Sequence, residues 1–131
     1  MLKIPVSHGE ILDKHTILVI KSERIASAEK LANVRKEQEA LAGPVAQIYQ
    51  GVGDKAALHG LVEKLKLVNE KLWEVEDALR LSEKNGEFGE DFVKLARSVY
   101  FLNDERAAIK KAINTFTGSP LSEEKSYEGY A

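Results

Sequence analysis

The sequence predicts an all-α fold, an antiparallel helical bundle with one long helical hairpin and an irregular C-terminal arm. Three observations predict it. Leu58, Leu61, Leu65, Val68, Leu72, Val75 and Leu79 keep an unbroken alternation of three and four residues, the seam of a coiled coil or bundle. A second stripe, Phe92, Leu95, Val99, Leu102, Ile109, Ile113 and Phe116, follows the short Asn85-Gly86 break, so the two stripes face each other as a hairpin. Only nine glycines and three prolines interrupt 131 residues, too few for a loop-rich or all-β chain.

The elements follow in chain order. Residues 2–6 read as a short extended lead in which Pro5 has no amide to donate. Ser7 and Glu10 have the spacing of a capping box, and the helix they open carries a wide apolar arc from Ile11 to Ile25. Within it Glu10 and Lys14 stand four apart, the spacing of an intrahelical ion pair. The apolar phase slips after Ile25. Ser27 is the expected cap of a second helix, which should end near Ala42 because Pro44 disfavours helix in the residue before it. The N-terminal helices thus occupy 8–42. Asp54 caps the next helix, the hairpin spans 54–116, and Thr117-Gly118-Ser119-Pro120 ends it. Residues 117–131 form the arm, and the whole is expected to be one domain.

Composition excludes several functions. At 44% hydrophobic and 31% charged the chain is neither a disordered polar tract nor a membrane protein, and no run approaches the roughly 20 apolar residues of a span. A net charge of -2, evenly spread, gives no drive toward nucleic acid. Having no cysteine removes disulfides and thiol chemistry. His8, His15 and His59 are scattered without ligand spacing, so no metal site and no cofactor is expected. The start of the chain does not have the pattern of a secretory signal, and a cytoplasmic location is expected.

The candidate site residues are polar residues placed oddly on helices. Arg106 occupies the seam between Leu102 and Ile109, where a leucine belongs, and a buried guanidinium without partners costs several kcal/mol. Antiparallel register sets Arg106 level with Val68 and Asn69, and Trp73 near Phe101. Asn103, Arg106, Lys110 and Asn114 recur at three- and four-residue spacing, two cations and two amides in line. They would suit an anionic or sugar-like ligand, with Asn69 as a neighbour and Asp104 as a weak candidate acid or base. The same residues also suit a structural polar pair and a solvated helix flank. Trp73 suits core or interface, and Glu76 has a partner in Arg80 four residues on.

Four strings carry a resemblance: Ser7 to Lys14, Leu72 to Asp77, Asn103 to Lys110, and Glu123-Glu124-Lys125-Ser126-Tyr127. Together they resemble a bacterial family of small helical proteins of unknown function. Its genes often accompany those of glycosyltransferases and surface polysaccharides, and its domain can be fused to such enzymes. The match is weakest over 43–57, and His15 departs from it, standing where an apolar residue is expected. The resemblance implies no activity. It implies that the Glu123–Tyr127 segment docks on the domain, bringing Glu124 or Lys125 toward helix four. It also implies a glycosyltransferase or other protein as partner. A weaker similarity, in style only, is to the helical chorismate mutases, which bind a dicarboxylate with basic residues inside a bundle. Two expectations follow: an accessory or interaction protein for cell-surface glycan assembly, or a small helical enzyme or binder of an anionic metabolite or sugar phosphate using Arg106, Lys110 and Asn69. Seams this long in so short a chain further suggest a homodimer.

Overall fold

The computed structural model describes residues 1–126. Four helices occur among them and no strand: α1 (His8–Arg24), α2 (Ala28–Gln50), α3 (Lys55–Asn85) and α4 (Glu90–Thr117). The expected all-α bundle is therefore present. Tyr127, at the end of the fourth string, lies outside the described residues.

The boundaries are set locally. Ser7, Ser27 and Asp54 each accept a hydrogen bond from an amide three residues on, that of Glu10, Lys30 and Ala57. Gly86 and Gly118 close α3 and α4 at φ 67°, the left-handed conformation that glycine adopts without penalty. The slip after Ile25 is an extended break between α1 and α2.

One boundary differs from expectation. Helix α2 does not stop near Ala42 but continues through Pro44 to Gln50. Proline there forfeits one backbone hydrogen bond. Beyond it, however, Val45, Ile48 and Tyr49 pack on the hydrophobic core, so tertiary burial outweighs the local preference to stop.

The hairpin of α3 and α4 is the frame, about 46 Å long on the α3 side at 1.5 Å per residue. Its open end holds the core, where Leu58, Val62, Leu65, Val68 and Ile113 meet Leu12 of α1, Ile48 of α2 and Val52 just beyond it. Toward the tip the burial stops. No residue of α3 after Asn69, and none of α4 before Ile113, is fully buried. Helix α1 lies over the open half only. Its start runs antiparallel to α4, with Gly9 against Asn114 and Asp13 against Arg106. Its end is tied to α3 by Arg24 with Glu70 and Glu74, and by Glu23 with Lys66. Helix α2 folds back on α1.

Candidate functional site

The wide arc of α1 is not uniformly apolar. Gly9, Asp13, Thr16 and Ile20 share one face by their spacing, and all four are buried. Against this face stands Arg106. Its guanidinium donates from Nε to Asp13 Oδ1 at 3.0 Å and from Nη2 to Asp13 Oδ2 at 2.7 Å, a two-point clasp. Asn69 adds a third donor to the same carboxylate at 2.9 Å and gives its other amide proton to Thr16 Oγ1 at 2.9 Å. Asp13 is 1% exposed, while the Arg106 side chain is 30% exposed. The hydrogen bonds to Asp13 raise the Arg106 pKa above its ordinary value, against the opposing effect of burial.

A second layer lies one helical turn toward the open end. Lys110 Nζ contacts Glu10 Oε2 at 2.6 Å. Glu10 was expected to pair with Lys14 four residues on; the crossing of α4 brings Lys110 to it instead. Asn114 accepts from the Gly9 amide at 2.6 Å and donates to Glu123 at 3.4 Å. Only glycine permits this approach, because a Cβ on residue 9 would stand 2.6 Å from the carbonyl oxygen of Lys110.

The tail completes the arrangement. Ser7 Oγ donates to Glu123 Oε1 at 2.5 Å, and Ser119 Oγ accepts from the His8 amide at 3.1 Å. Glu123 thus sits at the N-terminus of α1, where the helix dipole favours a carboxylate. Burial pushes its pKa up. The hydrogen bonds from Ser7, its own backbone amide and Asn114, with the charge of Lys110, outweigh that and hold it below the usual carboxylate value. Lys125 pairs with Asp104. A tail docked on α4 is what the fourth string implied.

The structure therefore brings the sequence-nominated residues together, but onto protein partners. Arg106 and Asn69 meet on Asp13; Lys110 meets Glu10; Asn114 meets Gly9 and Glu123; Asp104 meets Lys125. Asn103 reaches Arg106 Nη1 at 3.5 Å. Among the described residues no buried side-chain nitrogen or oxygen is left without a hydrogen-bond partner, and no group of three or more His, Asp or Glu is placed to hold a metal ion. Sequence reasoning missed Asp13. The signal was available, since an arginine inside a seam demands a carboxylate, and Asp13 lies among the apolar residues of α1.

Next to the clasp, on its tip side, a groove of about 330 Å³ opens between α1, α3 and Arg106. Ile17, Ile20 and Leu72 form apolar wall, Trp73 adds an indole, and Glu76, Asp77 and Arg80 continue along the α3 side. Trp73 is half-buried on this wall. Near the tip Phe88 stands edge-on to Phe92 with ring centres 5.3 Å apart, and the rings of Tyr100 and Phe101 lie 4.9 Å apart.

No described helix is long and apolar enough to cross a membrane. In comparison with known proteins, residues 2–130 match the model of the Family of unknown function (DUF6165). No curated protein and no solved structure matches the chain.

Proposed function

The chain belongs to that family, which brings no activity with it, and from the geometry we propose that it is an accessory or interaction protein whose hairpin tip binds a protein partner. One observation carries this reading. Past the clasp the seam of α3 and α4 is only half-buried, and Leu81, Phe88, Val93, Tyr100 and Phe101 stand exposed around it. Single exposed hydrophobics need no explanation, but five on one uncovered half of a hairpin form the kind of surface that partners cover. The resemblance set out above supports a glycosyltransferase of cell-surface glycan assembly as that partner, in a cytoplasmic setting. The half-open seam equally supports self-association of two copies as part of the working form.

The alternative, a site for an anionic metabolite built on Arg106, Lys110, Asn69, Asn103 and Asn114, is weakened by the same geometry. Each cation already faces a carboxylate of its own chain, so an incoming anion would have to displace Asp13 or Glu10. We assign these residues to the fastening of α1 on the hairpin.

The experiment compares wild type with the double variant Leu81→Glu/Phe101→Glu. Retention of the glycosyltransferase and sedimentation of the protein alone are measured beside thermal stability. The expected result is loss of retention and a shift toward monomer at an unchanged melting temperature. A screen with nucleotide sugars, sugar phosphates and small dicarboxylates should leave the melting temperature unmoved. Undiminished binding by the double variant, or a metabolite whose stabilising effect disappears in Arg106→Leu, would overturn the proposal.

A further inference from the structure

The groove beside the clasp has a charge pattern that selects a ligand. Trp73, Glu76, Asp77 and Arg80 fall at i, i+3, i+4 and i+7 of α3 and therefore share one face. Glu76 and Arg80 pair with each other at 3.8 Å, and Arg106 is neutralised by the two-point clasp of Asp13. Asn69, the remaining polar residue of the wall, has both amide protons engaged by Asp13 and Thr16. That leaves Asp77. It is exposed, and among the described residues it has neither a hydrogen bond nor an ion pair. Four charged side chains line the groove, and one carboxylate is uncompensated.

That carboxylate stands one helical turn from the indole of Trp73, at the edge of an apolar wall made by Ile17, Ile20 and Leu72. An indole attracts a cation through its quadrupole, and a neighbouring carboxylate adds to the attraction. The aliphatic wall meanwhile accepts an apolar body. An anion gains little here, since Arg106 is held by Asp13 and the exposed Arg80 stands beside two carboxylates, Glu76 and Asp77. A purely apolar ligand gains only the wall.

We propose that this groove binds an organic monocation carried on an apolar body, with Trp73 and Asp77 as its two recognition groups. The same chemistry is presented by a free aliphatic amine and by a lysine or arginine side chain flanked by aliphatic residues. The site is independent of the hairpin-tip surface proposed above, because none of its residues belongs to that exposed set.

The chain offers a direct reporter, because Trp73 is its single tryptophan. Intrinsic fluorescence is titrated with hexylamine, with hexanol and hexanoate as neutral and anionic counterparts of similar length, and with the capped tripeptide Leu-Lys-Leu. We expect saturable quenching by hexylamine in the millimolar range, at least threefold weaker with hexanol, and absent with hexanoate. Asp77→Asn should weaken the amine at least threefold while leaving the melting temperature unchanged, since among the described residues Asp77 makes no hydrogen bond or ion pair. Glu83→Gln, an acid on the same helix outside the groove, should change nothing. Trp73→Leu, followed by calorimetry, should also lose affinity. Tighter binding of the tripeptide than of hexylamine assigns the site to a partner's basic side chain; binding of the amine alone assigns it to a small molecule. Equal binding of all three hexyl compounds, an Asp77→Asn variant as competent as wild type, or no saturable change with either amine or peptide would overturn the proposal.

Discussion

Replacing Arg106 with leucine removes both charge-assisted bonds to Asp13 and leaves a carboxylate that is 1% exposed with Asn69 as its remaining partner. At about 4 Å and an effective dielectric near 20, the pair attraction is about 4 kcal/mol before desolvation is subtracted. Breaking one side of a buried pair typically costs about 3–5 kcal/mol. Because the Arg106 side chain is 30% exposed, the lower end applies, about 3 kcal/mol. Asp13→Leu leaves a guanidinium that can turn to water, but it strands one amide proton of Asn69, a cost of about 2 kcal/mol. The double variant Asp13→Leu/Arg106→Leu keeps only the second defect, so its cost should stay near about 2 kcal/mol, with a coupling of roughly 3 kcal/mol. The assay is urea unfolding followed by far-ultraviolet circular dichroism at neutral pH, with equal denaturant slopes required across the cycle. A coupling below about 0.5 kcal/mol, or an Arg106→Leu variant as stable as wild type, would refute the clasp as the fastening of α1.

Three further outcomes are expected. Gly9→Ala forces α1 away from the Lys110 carbonyl and loses the bond to Asn114, and should cost about 2 kcal/mol in the same unfolding assay. Glu123→Gln tests the tail. The native pKa of Glu123 is depressed, so its contribution is present above the unfolded carboxylate pKa and is lost as pH falls through the native one. The variant should be less stable than wild type at pH 7, and the difference should shrink steadily as pH falls below the usual carboxylate range; a difference that stays constant with pH would contradict the assignment. His15 has its pKa lowered by burial, so the unfolded chain binds the proton more tightly and native stability falls as pH drops through about 6.5. His15→Leu should abolish that dependence and gain most over wild type at about pH 5; equal gains at pH 5 and pH 8 would dispose of it.

The hairpin was readable because its signal is redundant. Seven seam residues on α3 repeat one spacing, and any one of them could be lost without changing the reading. The caps at Ser7, Ser27 and Asp54, and the stop at Gly86, depend on neighbours within three or four residues and were readable for that reason. Pro44 was not, because the local preference is outvoted by contacts of Ile48 and Tyr49 with residues distant in sequence. The candidate site shows the same division. The anomaly of Arg106 and its nearness to Asn69 follow from register within one hairpin. Asp13, Glu10 and Glu123 come from other elements, and nothing in a helical period says which helix crosses where. The register that placed Trp73 near Phe101 also gave no hint of a groove, since a groove is defined by where α1 stops covering α3.

The fastening of α1 has a consequence for how the chain is made. Its partners on α4 and the tail lie 93 residues downstream for Asp13, 100 for Glu10, 105 for Gly9 and 116 for Ser7. Leaving the ribosome, α1 meets none of them until α4 has been synthesised, and Glu123 follows α4. The nascent N-terminal segment therefore waits with its charged face solvated, while α3 and α4 can zip from their tight turn through contacts close in sequence. Closure of α1 onto the hairpin is then a late event that joins it to residues made about 100 positions later, and a message truncated before the codon for Arg106 should yield a hairpin without the clasp on α1.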